Sequence, residues 1–187
     1  MGQYYKACLI SPTEDIKVIS PEGWKLMEHS WYWNPDMCRV EKLLSEKPYR
    51  VIWVWDYSQC AAFAWESNLK PEKGREDEYQ EWEILEHKDG KVYYLVNHSR
   101  SQYINMTQQE HDDALKDQWE GVVHPLSLLC RADTETAGGD YRSDINEHLL
   151  GLWCWDEISV LEVDSSRDEE FKYFEYQNMT DVYFFKE

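Results

Sequence analysis

A histidine and a carboxylate held side by side can bind a metal or activate water, and one pairing in this chain has that character. It joins His124-Pro125-Leu126 to Gly138-Gly139-Asp140-Tyr141-Arg142. Two successive glycines let a backbone approach a ligand, which would leave Asp140 exposed beside it. His124, Gly138, Gly139, Asp140, Tyr141 and Arg142 are therefore candidate ligand-binding residues, with His29 as a further acid–base group. The competing reading is a loop in which Asp140 caps the next turn. His98, after Asn97 at a turn, has the same double reading, since imidazole titrates near neutrality. Neither His29 nor His98 has a Cys, His or carboxylate at metal-like spacing. The chain contains no Walker loop, nucleophile elbow, HExxH or dinucleotide fingerprint. No catalytic residue is assigned, and no metal or cofactor is expected.

The second chemistry is that of massed carboxylates. Acidic runs span Glu72 to Asp89, Glu110 to Glu120 and Asp164 to Glu175. In the first run Glu76, Asp77, Glu78, Glu81, Glu83 and Glu86 interleave with Tyr79, Trp82 and Leu85. On a helix such carboxylates would neighbour one another at about 5 to 6 Å, the order of the phosphate spacing along a nucleic-acid strand. Glu76, Asp77, Glu78, Tyr79, Glu81, Trp82, Glu83 and Glu86 are accordingly candidate partner-binding residues, with Tyr79 and Trp82 as aromatic anchors. An ordinary solvated face is the competing reading.

The chain carries 37 acids against 19 bases, a net charge of −18. Direct nucleic-acid binding needs clustered Lys and Arg, so this balance argues against it. A basic protein, including a nuclease complex that normally grips nucleic acid, is the expected partner. Five cysteines, Cys8, Cys38, Cys60, Cys130 and Cys154, are odd in number and lack a CxxC pair. They read as free thiols in a reducing cytoplasm. No run nears the 18 apolar residues of a membrane span, and Met1 to Ile10 lacks the basic flank and apolar run of a secretion signal. Oligomeric state is not legible.

These residues need a frame. A length of 187 residues suits one domain, 1–187, and 10 Trp with 13 Tyr point to an aromatic-rich core. Gln3 to Ile10 and Asp15 to Ser20, separated by Ser11-Pro12-Thr13, read as a hairpin. Asn34-Pro35 opens a helix, and Met37, Val40, Leu43 and Leu44 carry it from Pro35 to Glu46. Tyr49 to Tyr57 reads as a central strand covered on both faces. Asn68 to Asp77 reads as a surface loop. Asp89-Gly90 is expected to turn Glu83–Lys88 back on Lys91–Asn97, and His98-Ser99-Arg100 to link the latter to Gln102–Met106. Thr107 with Glu110 forms a capping box for a segment reaching Trp119. His124-Pro125-Leu126 opens a short apolar element ending at Cys130. Ile145, Leu149, Leu150 and Leu152 suggest a helical turn or two. Strand character is expected at Trp153 to Leu161, Glu170 to Gln177 and Asp181 to Phe185. The fold class is α+β: one domain, mainly antiparallel sheet, with a few short helices and an aromatic-rich core.

Several stretches together resemble a family of small proteins from bacteria and their phages whose N-termini begin MGQYYK, matched here by Met1 to Lys6. The likeness extends to Lys25–Trp31, Asn97-His98 with Tyr103-Ile104, His124-Pro125-Leu126, Gly138–Tyr141 and Gly151 to Val160. Before Asp140 this chain has Thr134-Glu135-Thr136-Ala137, where the family pattern is richer in Gly and Arg. The resemblance implies a phage or mobile-element setting and no particular activity. With the acidity, it suggests a non-enzymatic binding protein, a phage-encoded inhibitor of a bacterial defence nuclease of the anti-CRISPR kind. Two alternatives are a ligand-binding or hydrolytic domain built on His124 and Asp140, and an immunity protein that neutralises a basic toxin.

Overall fold

The computed structural model describes residues 4–13, 15–19, 25, 30–32, 34–56, 58, 84–107, 123–132, 149–171, 173 and 175–180, with backbone alone for 168–170. Strands β1 (Tyr5–Ile10), β2 (Ile16–Ile19), β3 (Tyr49–Trp55), β4 (Lys91–Asn97), β5 (Gln102–Asn105), β6 (Glu157–Asp164) and β7 (Gln177–Asn178) form one sheet in the order β2-β1-β3-β6-β4-β5-β7. Every pairing is antiparallel except β5 with β7. With helices α1 (Pro35–Glu46) and α2 (Pro125–Leu129), this is the expected α+β architecture.

The strands carry apolar side chains at both odd and even positions because both faces are covered. On one face Ala7, Leu9, Val51, Trp53, Tyr93, Leu95, Ile104, Ile158 and Val160 pack against Met37, Val40 and Leu44 of α1 and Leu126 and Leu129 of α2. Each fully buried side chain of this size contributes roughly 1.5–3 kcal/mol. On the other face, Tyr94, Val96 and Tyr103 are covered by Phe171, Tyr173 and Tyr176. The Phe171 ring stacks on Tyr94 at 3.9 Å. Cys8, Ile52 and Val54 make a smaller cluster there with Ala132 and Cys154.

Helix α1 starts as its sequence dictates. Asn34 accepts from the Asp36 amide at 2.9 Å and Pro35 occupies the first turn. The opening hairpin, the central strand and the β4–β5 hairpin also form, with Ala7 opposite Ile19 and Asn97 opposite Gln102.

Three expectations are corrected. Of the expected arm Glu83–Lys88, the described residues 84–88 do not pair with β4: both of its edges are taken, by β5 and β6, so they have no ladder to join. They run to α1 instead, where the Leu85 amide donates to the Cys38 carbonyl at 3.2 Å. Trp153 to Trp155 is a turn, because Gly151 (φ 71°) and Trp155 (φ 68°) take left-handed conformations, and the strand begins only at Glu157. The described residues between Glu170 and Tyr176 are not in a strand. A 3₁₀ segment covers Ser165–Glu170, the aromatics after it roof the sheet, and only Gln177 and Asn178 pair. Asn68–Asp77, Glu110–Trp119 and Asp181–Phe185 lie outside the described residues.

A carboxylate shared by two imidazoles, the candidate functional site

Helix α1 has one charged residue on its buried stripe. Glu41 follows Met37 by one turn and precedes Leu44 by just under one, so helical geometry turns its carboxylate inward with them. An ionised carboxylate in an apolar core is costly unless hydrogen bonds compensate, and here two imidazoles converge on it. His124 Nε2 lies 2.9 Å from Glu41 Oε1, and His87 Nε2 lies 3.4 Å from Oε2. Burial pushes the Glu41 carboxyl up. The hydrogen bond from His124, the close approach of His87, and the charge the two rings can carry outweigh burial and hold it at about 2.

The tautomer of His124 follows from its neighbours. It is the N-cap of α2, and its Nδ1 accepts from the Leu126 amide at 3.1 Å. The proton must therefore sit on Nε2, which donates to Glu41. The Ser127 hydroxyl donates to the His124 carbonyl at 2.9 Å, the His124 amide donates to the Ser30 carbonyl at 2.7 Å, and the Tyr32 ring lies 4.6 Å from the imidazole. His124, Ser127 and Ser30 are all fully buried.

His87 arrives from the segment 84–88. Its ring stacks on Tyr93 of β4 at 4.0 Å, nearly parallel. The Tyr93 hydroxyl accepts from the Lys88 amide at 3.0 Å and points its own proton between the Glu86 carbonyl and the Glu162 carboxylate, 3.3 and 3.2 Å away. Glu162 is 3.4 Å from Lys91 Nζ. The network thus ties α1, the N-terminus of α2, residues 84–88, β4 and β6 together.

The structure joins His124 to Glu41 and His87, neither of which sequence reasoning paired with it. Gly138, Gly139, Asp140, Tyr141, Arg142 and His29 lie outside the described residues. With Nδ1 capping a helix and Nε2 donating to Glu41, His124 has no ring lone pair left for a metal. Among the described residues no group of three or more His, Cys, Asp or Glu could hold a metal ion. One signal for Glu41 was available: an acid set one turn from Met37 and from Leu44 on a helix whose apolar stripe was already evident.

His98 is partly buried beneath Tyr173, with Nε2 2.8 Å from the Ser159 hydroxyl. Next to it, Asn97 donates to Asp156 at 2.9 Å, and Arg100 Nε meets the same Asp156 oxygen at 2.5 Å.

Of the acidic candidates, Glu76, Asp77, Glu78, Tyr79, Glu81, Trp82 and Glu83 lie outside the described residues, and Glu86 is exposed. Among the described residues Cys8, Cys38, Cys130 and Cys154 form no disulfide with one another, while Cys60 lies outside. Among the described residues no helix is long and apolar enough to cross a membrane. No family model, curated protein or solved structure matches the chain.

Proposed function

We propose that the protein is a non-enzymatic binding protein that engages a basic partner through its surplus acidic residues. One observation supports this reading most: the charge is unevenly shared along the chain. Residues 72–89 hold eight acids against three bases and residues 110–120 five against one, which together account for nine of the chain's eighteen surplus negative charges. Described carboxylates also have partners within the fold: Asp36 with Arg39, Glu46 with Lys42, Asp156 with Arg100, Glu162 with Lys91, and Glu41 with its two imidazoles. The seven strands carry four bases and three acids, whereas half of the surplus falls in those two stretches of sequence, Glu76 to Glu83 among them.

A basic groove built for nucleic acid is the partner class that such charge suits, since complementary potentials speed encounter and select the partner. A bacterial defence nuclease of the CRISPR type is the proposed example. The test is displacement of a fluorescent DNA duplex from such a nuclease complex. The chain is expected to compete in low salt and to lose at least about ten-fold in potency at several-fold higher salt. Replacing Glu76, Asp77, Glu78, Glu81, Glu83 and Glu86 together by their amides is expected to abolish competition without unfolding the sheet. Competition that ignores both salt and these substitutions would overturn the proposal.

A further inference from the structure

Residues 84–88 lie at the end of the first acidic run, just before β4, and every second side chain in them faces out. Ile84, Glu86 and Lys88 are exposed, whereas Leu85 and His87 are partly buried, which is the period of two of an extended chain. We propose that this segment is a pinned strap that presents Ile84 and Glu86 to the basic partner in a fixed conformation. The inference rests on the function proposed above and adds where the partner is met and what keeps that place rigid.

The inward side of the strap is tied to α1 and β4. The Leu85 amide donates to the Cys38 carbonyl of α1 at 3.2 Å, and the Leu85 side chain packs on the main core. The His87 ring stacks on Tyr93 of β4 at 4.0 Å and lies 3.4 Å from Glu41 Oε2 of α1. The Tyr93 hydroxyl holds the backbone itself: it accepts from the Lys88 amide at 3.0 Å and faces the Glu86 carbonyl at 3.3 Å. These contacts fix which way Ile84 and Glu86 point.

The outward side suits a basic surface. Ile84 is 42% exposed, one of three large hydrophobic residues so placed among the described residues, and Glu86 is exposed on the same side of the strap. An apolar side chain beside a carboxylate matches the alkyl stem and charged head of a lysine or arginine. The charge of the stretch is complementary as well, with eight acids against three bases over residues 72–89. A segment that is already fixed loses less freedom on binding than a loose one. Pinning therefore slows dissociation, while charge governs the rate of encounter.

Tyr93→Phe releases the backbone of the strap and changes no charge at neutral pH, which makes it the test. Hydrogen exchange of the Lys88 amide is expected to speed up about ten-fold or more in this variant, with the Val160 amide of β6 unchanged. Displacement of the fluorescent duplex from the nuclease complex is expected to need about three- to ten-fold more protein, because dissociation is faster, while the association rate and its salt dependence stay within about two-fold of the wild type. Ile84→Ser alters an exposed side chain and leaves the ties in place; it is expected to weaken binding about ten-fold with Lys88 exchange unchanged. Should Tyr93→Phe speed exchange throughout the fold, Ile84→Ser decides alone. A strap that exchanges no faster in Tyr93→Phe, or binding that is unchanged in either variant, overturns the proposal and leaves the function above standing. If the wild-type protein displaces no duplex, that function falls and the role of the strap falls with it.

Discussion

Two polar networks in this molecule use similar groups and differ chiefly in water. At the β4–β5 turn, Arg100 and Asp156 meet at 2.5 Å with side chains 46% and 15% exposed, and the Arg100 amide donates to Asn97 Oδ1 at 3.0 Å. Under the sheet, Glu41 and His124 meet at a longer 2.9 Å, with 4% and 0% exposed. Distance alone would rank the turn first. Burial reverses the order, because an exposed guanidinium exchanges its carboxylate for water at little cost, whereas a buried carboxylate stripped of its donors has nothing to replace them.

The sharpest way to break this comparison is to remove the shared carboxylate. Glu41→Ala leaves the His124 Nε2 proton without its acceptor and opens a gap on the stripe between Met37 and Leu44. A loss of about 3–5 kcal/mol in urea unfolding is expected. Acid should approach the same end by another route. The folded-state value of Glu41, about 2, lies below the 4.5 of a free carboxyl. Its contribution is therefore complete above about pH 4.5 and is lost as pH falls toward about 2. Stability measured across that window is expected to fall more steeply in the wild type than in Glu41→Gln.

Smaller effects sharpen the contrast. His124→Asn keeps a side chain able to cap α2 but too short to reach Glu41, and a loss of about 1.5–3 kcal/mol is expected by the same assay. At the exposed network, Arg100→Ala is expected to cost less than about 1 kcal/mol, and that difference should shrink further in high salt. An Arg100→Ala penalty as large as that of His124→Asn would mean that burial is not what ranks the two networks.

The sequence announces what local chemistry controls. Asn34-Pro35 and the spacing of Met37, Val40 and Leu44 define α1 from within. The run Val51 to Val54 has strand character regardless of its partners, and Asn97 to Gln102 closes its hairpin locally. Elements whose fate depends on distant partners were not legible. Residues 84–88 look like a hairpin arm until β6, far along the chain, takes the edge of β4 they would have used. Trp153 to Trp155 has strand composition, yet two left-handed residues turn it so that β6 starts at Glu157. The site was half visible: His124 stood out beside Pro125 as a candidate, but its partner Glu41 lies 83 residues away, and only folding brings them together.

Glu41 is an ionised carboxylate held in the core by the hydrogen bond from His124 and the neighbouring His87 imidazole. Carbon-13 labelling of the glutamate carboxyls, with the Glu41 resonance assigned by its loss in Glu41→Gln, reads this directly in an acid titration. A midpoint near 2 is the expected result. A midpoint at or above the ordinary carboxyl value of about 4.5 would show that burial prevails over the two imidazoles, and would contradict the account.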